Sequence, residues 1–393
     1  MLQLSFVNFR KGSYLVVEGK ADTNRFFIIQ SGQVRCIKAT DIKSGAVKVL
    51  GPGDFVGVIP CMSGHSQIET VVAMTDVTCI SVQRDQYPEL IMRNTPVAMK
   101  IIRTFANSMR VMNETLTKMT LKKVVADTPE HIYDVAEFYD KTNQWDIAIY
   151  AYYHYLKECP RGINSDKAKQ RFIALKPKTH AVYFEASADL VRNYPKGTMI
   201  FSESQRGSDM FIIQSGSVKI SKVVNGDEVT LAMLKKTDMF GEMALIENKP
   251  RSANAIAHEE CRLMVVNRQN FDVLVATQPQ LIARLTTMLA DRLWSMYRQL
   301  DNATLSDPLQ RLIDMLALQI EKTKIDFVLK NQYQTDLTPY DLANMCGIPR
   351  EHQAECLYRL ENDSHVKIVS GKIFVPDCSE LIKQAAFYRK QKA

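Results

Sequence analysis

The stretch FGEMALIENKPRSANAIA, residues 240–257, decides how the rest of the chain is read. It places Glu242 and Arg251 nine residues apart, with Lys249-Pro250 as a turn signal and Ser252 next in line, between two apolar runs. That spacing suits neither one face of a helix, which repeats every 3.6 residues, nor one face of a strand, which repeats every two. A short helical turn, a loop and a new strand would bring both side chains onto one ligand. A guanidinium fork beside a hydroxyl and free backbone N–H groups suits a phosphate, and a nearby carboxylate suits a sugar hydroxyl. The pocket so described is one for a phosphorylated sugar.

The surroundings of this stretch occur twice. FIIQSG stands at 27–32 and again at 211–216, a shift of 184 residues. The same shift carries Asp54 onto Asp238, Gly57 onto Gly241, Ala73 onto Ala257 and Arg84 onto Arg268. Each copy has short β-rich runs broken by turn residues, such as YLVVE, RFFIIQ and QVRCIKA in the first and MIFSE, DMFIIQ and SVKISKVV in the second. Asn225-Gly226-Asp227 between two such runs is a hairpin signal. Many short punctuated strands predict a barrel or jelly roll.

Residues 240–257 resemble the phosphate-binding cassette of cyclic-nucleotide-binding domains. In that family the glutamate binds the ribose 2′-hydroxyl, and the arginine pairs with the cyclic phosphate, helped by the next small residue and by cassette amides. The resemblance therefore implies cyclic-nucleotide contacts at Gly241, Glu242, Met243, Ala244, Arg251 and Ser252, with Ala253 and Ala257 as packing positions. It also implies a cyclic nucleotide as allosteric ligand, cyclic AMP favoured over cyclic GMP. The first copy reads VGVIPCMSGHSQIETVVA, with Val58 at the glutamate position, Gln67 at the arginine position and Ile68 at the serine position. A phosphate unpaired in an apolar pocket is very costly, so the first copy is expected to be structural rather than nucleotide-binding. GPGDFVG at 51–57 lies between strand-like runs and is not a dinucleotide loop.

Between the copies, 86–123 reads as a helix with Leu90, Ile91, Ile101, Ile102, Phe105, Met109 and Met112 on one stripe. Residues 129–177 are helical as well, and Ala136, Tyr139, Ala148, Tyr152 and Pro160 fall at the spacing of a single tetratricopeptide repeat, which they resemble. One such repeat cannot bury its own face, so a spacer docked on its neighbours is expected, with a protein partner there as the minor alternative. After the second copy, 277–300 is a long amphipathic helix whose Leu281, Leu285, Met288, Leu289, Leu293, Met296 and Leu300 align. In bacterial regulators of the catabolite-activator type, the helix in this place pairs with its twin in a homodimer and reaches over the purine. The resemblance thus implies a homodimer seam and puts Tyr297 near the base.

Asp307 and Pro308 open the C-terminal part. Thr338 can cap one helix, Gly347 can make a turn, Pro349 can open the next helix, and Ser370-Gly371 reads as a hairpin tip. Helix, turn, helix and hairpin resemble the winged helix-turn-helix of the same regulators, whose second helix enters the major groove. That implies DNA contacts at Thr338, Pro349, Arg350, Glu351, Gln353 and Lys372, and a twofold protein would space its recognition helices about 34 Å apart. Against this, Glu355 stands where the family has a second base-reading arginine. Residues 306–393 also carry twelve Lys and Arg against twelve Asp and Glu, whereas DNA binders are usually basic.

The composition excludes several classes. The 393 residues are 46% hydrophobic and 24% charged, as in water-soluble globular chains, with a net charge of +7 that mildly favours polyanionic partners. No run approaches 18 apolar residues, so no membrane partner is expected. No signal peptide precedes the first copy, and the eight cysteines are scattered without a CxxC pair, which fits reduced thiols in a cytoplasm. There is no P-loop, HExxH, GxSxG or kinase signature, and the seven histidines show no metal spacing. Neither catalysis nor a metal is expected. The fold expected is multidomain α+β: a degenerate cyclic-nucleotide-binding-like β-roll at 1–120, a helical spacer at 121–178, a cyclic-nucleotide-binding β-roll with its long helix at 179–305, and a winged helix-turn-helix at 306–393. Its function is expected to be nucleotide-responsive transcription regulation through double-stranded DNA, or alternatively an adaptor whose spacer and C-terminal domain bind proteins. Kinase regulatory subunits also carry tandem domains, but no RRxS inhibitor sequence precedes this pair.

Overall fold

The computed structural model describes residues 5–38, 48–121, 128–181, 184, 189–224, 226–243, 249–267, 271, 273, 277–324, 331–335 and 337–391. The chain forms two compact units, Lys123–Thr277 and a second made of Met1–Lys122 together with Gln278–Ala393. No helix among the described residues is long and apolar enough to cross a membrane.

The duplication read from FIIQSG is a duplication of topology. In the first roll, β1 (Ser5–Phe9), β8 (Val77–Gln83), β3 (Arg25–Ser31) and β6 (Phe55–Val56) form one sheet in that order. The other sheet runs β2 (Tyr14–Val16), β7 (Thr70–Ala73), β4 (Val34–Ile37), β5 (Lys48–Leu50). The second roll repeats both orders: β9 (Val191–Tyr194), β16 (Cys261–Val266), β11 (Met210–Ser215), β14 (Met239–Phe240) in one sheet, and β10 (Met199–Phe201), β15 (Asn254–Ala257), β12 (Val218–Val224), β13 (Asp227–Leu234) in the other. Even the irregularities recur, with a register shift between Ile29 and Ser31 and again between Ile213 and Ser215. The glycines that follow are forced. A Cβ on Gly32 would lie 2.3 Å from the Asp76 carbonyl oxygen and one on Gly216 2.1 Å from that of Glu260, and both backbones are left-handed. The hairpin expected around Asn225 is β12–β13, with Val224 opposite Asp227; Asn225 itself lies outside the described residues.

The first unit continues through α1 (Val58–Ser63), α2 (Tyr87–Arg93) and α3 (Thr95–Leu121). The single helix expected over 86–123 is thus two, broken at Asn94, whose backbone leaves the helical region. Ala98, Ile101, Ile102, Phe105, Ala106 and Met109 form the buried face of α3, and that face packs along the long helix α7 (Pro279–Ala303). α7 also packs on α1 and α2. Leu285, Leu289, Leu293, Trp294 and Met296 of α7 are buried, and no apolar side chain between 281 and 300 is exposed. The stripe expected on 277–300 is thus real, and within the chain it is covered by α3 and the first roll.

After α7 come α8 (Pro308–Lys322), capped by Asp307 accepting from Leu309 N at 3.1 Å, then α9 (Pro339–Met345), α10 (Arg350–Glu361), the hairpin β18 (Lys367–Val369) and β19 (Lys372–Val375), and α11 (Cys378–Gln391). A short strand β17 (Tyr333–Gln334) joins β19. Their common core, which includes Leu316, Leu342, Leu357, Leu360 and Leu381, also contains Trp294 of α7 and receives Ile59 and Ile68 of the first roll.

In the second unit, α4 (His131–Lys141), α5 (Trp145–Glu158) and α6 (Ser165–Leu175) pack on one another. Their core contains Met199, Val223 and Ile256 of the second roll. Tyr139 donates to Glu228 at 2.7 Å, and His131 Nε2 lies 3.1 Å from Glu203 Oε1, which also accepts from Val223 N at 3.0 Å. The three helices are therefore docked on the roll through buried apolar and charged contacts, as one isolated helical pair requires.

Candidate functional site

The site is assembled where β14 ends. Gly241 is left-handed at φ 80°, and a Cβ there would stand 2.7 Å from Arg251 Nη1 and 3.0 Å from the Asp209 carbonyl oxygen. Glu242 and Met243 follow in a helical turn, both buried. Ala244 lies outside the described residues. The chain returns at Lys249, and Arg251 is held by its backbone: its N donates to Gln205 O at 2.9 Å and its carbonyl accepts from Ser204 N at 2.8 Å. Asn254, at the start of β15, braces the same loop by accepting from Ser202 Oγ and Glu203 N at 3.1 and 2.8 Å.

Arg251 is 5% exposed. Its Nη1 donates to Gly241 O at 2.9 Å, its guanidinium carbon lies 4.1 Å from the centroid of the Phe201 ring, and among the described residues its Nε has no partner. Burial pushes its pKa down to about 10, while Asp209 and Glu242 push the other way. It remains a cation at neutral pH. Among the described residues this buried guanidinium donates to one carbonyl and lies on an aromatic face, with Asp209 and Glu242 as the nearby negative charges and no direct ion pair to either. Ser252 stands beside it, its hydroxyl 3.7 Å from Met243 Sδ.

The structure thus brings together Gly241, Glu242, Met243, Arg251 and Ser252. Tyr297 belongs to the other unit, where Lys38 Nζ sits 3.4 Å from its ring centroid. Asp209, Phe201 and Asn254 escaped sequence reading. Asp209 had a faint signal, as a carboxylate in the turn RGSD before β11; an aromatic in a strand carries none.

The same place in the first roll keeps the backbone and loses the chemistry. Gln67 N donates to Lys20 O at 2.9 Å and Gly19 N donates to Gln67 O at 2.8 Å, the two bonds that hold Arg251 one domain later. Thr70 accepts from Glu18 N at 3.0 Å where Asn254 accepts from Glu203 N. Gln67 is buried and donates to Asp22 O at 3.2 Å, and Val58 is buried in α1. Beside them His65 stacks on Trp294 at 3.9 Å and 17°, its Nε2 lies 3.3 Å from Asp291, and the indole N–H donates to Ser66 O at 3.2 Å.

In the C-terminal part, the residues expected at DNA are placed unevenly. Thr338 is committed to a capping box with Asp341. Pro349 is the exposed N-cap of α10, and Glu351 and Lys372 are exposed. Arg350 begins α10, and its side chain lies outside the described residues. Gln353 is buried and donates to Asn344 Oδ1 at 2.9 Å and Ile348 O at 2.8 Å. It ties the turn to α10 and is not offered to a base edge, because residue 353 falls on the inner side of the helix.

Residues 6–94 and residues 191–278 each match the model of the cyclic nucleotide-binding domain. It is 28% identical to the cyclic AMP receptor protein of Thermus thermophilus over 203 residues, covering 50% of this chain and 88% of that protein. It is 25% identical over 194 residues to a CRP-like cAMP-activated global transcriptional regulator of Mycobacterium tuberculosis, 49% of this chain and 87% of that protein. Among solved structures, a CooA mutant from Carboxydothermus hydrogenoformans matches with 19% identity and a TM-score of 0.42, covering 50% of this chain and 87% of that one.

Proposed function

We propose that this chain is a cyclic-nucleotide-responsive regulator with one nucleotide site, in the second roll. The observation that carries this reading is Arg251, a buried cation with an unpartnered Nε beside Glu242, in a cassette whose first-roll copy has kept its backbone and lost both charges. Arg251 would pair with the cyclic phosphate and Glu242 would accept from the ribose hydroxyl. The relatives, a cyclic AMP receptor protein and a cAMP-activated transcriptional regulator, support cyclic AMP as the ligand and transcription as the output.

The order of α9, turn, α10 and hairpin supports a winged helix-turn-helix with α10 as the reading helix. β16 ends at Val266 and α7 begins at Pro279, so nucleotide-driven change in the second roll has a short covalent path to the helix that leads into Asp307. Ligand shifts this equilibrium only by its differential affinity for the two arrangements. With α3 covering α7 in cis, the chain needs no second copy at that seam, and one chain would read one half-site. The test is calorimetry with cyclic AMP and cyclic GMP, followed by a gel shift on DNA across a salt series. One site per chain and a steep loss of DNA binding with salt are expected; absence of any nucleotide binding would refute the reading.

A protein-binding output is the second reading, and the outer face of α10 favours it. Glu351, His352, Glu355 and Tyr358 are exposed there, while Arg359 is drawn back onto Asp307 at 2.9 and 3.0 Å. Two carboxylates repel a phosphate backbone. No gel shift at low salt, with or without nucleotide, would select the adaptor.

A further inference from the structure

The guanidinium of Arg251 has a second edge. Its Nη1 faces Gly241 O on the cassette side, but Nε and Nη2 face Gly207, where a Cβ would stand only 2.7 Å from each. The missing side chain at 207 keeps that edge open. It opens on a cavity of about 230 Å³ whose lining includes Lys157 of α5, Arg192, Tyr194, Arg206 and Arg251. Neither Glu242 nor Ser252 is among the lining residues, so among the described residues this space is not the cassette pocket. Among the described residues Asp209 is the one carboxylate in the lining, and it lies 3.5 Å from Arg192. Among the described residues, four cationic side chains thus surround a space with one carboxylate, and the most buried of them is Arg251.

We infer that this cavity is a second anion site, for a dianionic phosphate group, free or on a small monoester, bound on the rear edge of Arg251 and closed by Lys157 from the helical spacer. The chemistry of the lining selects this class. Guanidinium groups pair with phosphate through paired N–H donors, and a lysine adds a point charge. The location also gives it a consequence. Two anions on opposite edges of one guanidinium repel across a poorly solvated space, so occupancy of the rear site weakens cyclic-nucleotide binding, and the nucleotide weakens phosphate binding by the same factor. This coupling rests on the reading of Arg251 as the cyclic-phosphate cation; the rear site itself does not. It also gives the spacer a role in the site, because Lys157 reaches the cavity from α5.

The test uses the full chain in a chloride buffer of fixed ionic strength. Inorganic phosphate is titrated by calorimetry, with glycerol phosphate in a parallel arm; the tighter of the two tells whether the free ion or an ester is the better ligand. Cyclic AMP is titrated with and without phosphate. The variant is Lys157→Ala with Arg206→Ala, two exposed positions whose loss leaves the core intact. Wild type is expected to bind phosphate saturably and to lose cyclic AMP affinity several-fold in its presence. The double variant is expected to bind phosphate about tenfold or more weakly, because two of the four cations facing the cavity are removed, and to bind cyclic AMP as wild type does in phosphate-free buffer. Equal phosphate affinity in wild type and variant, or no saturable phosphate binding in wild type, overturns the inference. If phosphate binds and depends on Lys157 and Arg206 while cyclic AMP fails to bind at all, the rear site stands and the proposed function falls.

Discussion

The two rolls of this chain have the same strand order, two matching register shifts and the same backbone bonds across the cassette loop, yet they are completed differently. In the second roll, Arg251 is buried, with an N–H unmet among the described residues, and lines a basic cavity. In the first, an uncharged glutamine is satisfied by Asp22 O, and Trp294 of α7 lies against the neighbouring His65. The contrast separates what the cassette backbone is for from what its side chains are for. The backbone bonds close the loop in both rolls and are therefore structural. Only the side-chain chemistry distinguishes a roll with a buried arginine at this place from one that grips a helix.

The largest effect expected on this contrast is at the grip. Trp294→Ala removes a fully buried indole and should cost about 3–5 kcal/mol. Hydrogen exchange around Ser63–Gln67 and α7 should rise together, and a wild-type exchange pattern in this variant would mean that the helix is not held by the first roll. Next is the nucleotide itself. Arg251→Ala should weaken cyclic AMP binding by about 2–5 kcal/mol, since it leaves a phosphate unpaired, without loss of thermal stability, since it also removes a buried cation. Unchanged affinity in calorimetry would remove Arg251 from the site.

A smaller effect is expected where the spacer docks. Burial pulls the His131 pKa down, but Glu203 and Asp134 outweigh it and hold it above the usual histidine value. A raised folded pKa means that the contact stabilises fully below about pH 6.5 and fades as pH rises through the folded value. His131→Ala should therefore cost about 1–3 kcal/mol near pH 6 and less near pH 8, read from denaturant unfolding at the two pH values. An equal cost at both would mean that the imidazole docks uncharged. The smallest effect is expected from Gln67→Ala, which should leave cyclic AMP affinity and a stoichiometry of one site per chain unchanged. A measurable loss of affinity there would break the distinction between the two rolls.

Much of this was legible in the residues. The repeated FIIQSG, the glycines at fixed offsets and the loss of both charges at Val58 and Gln67 are local facts, and each corresponds to a local structure: a bulge, a left-handed turn, an uncharged pocket. The cap at Thr338 was equally legible, since it acts on an amide three residues away. The helical stripe on 277–300 was legible as a stripe only. Gln353 looked like a surface residue of a reading helix because its polarity is visible in sequence and its burial is not.

The sequence by itself determined that there are two rolls, that one carries a glutamate and an arginine suited to a phosphorylated sugar, and that a long apolar-striped helix follows it. These depend on residue identity at short spacing. Only the tertiary structure decided that α3 and the first roll cover that helix, that Tyr297 meets Lys38, and that Gly207 leaves the rear edge of Arg251 open to a basic cavity. Periodicity records that a face is buried but not what buries it. The partner is selected by long-range packing, in which apolar surfaces far apart in the chain compete for the same cover and the best-fitting pair wins.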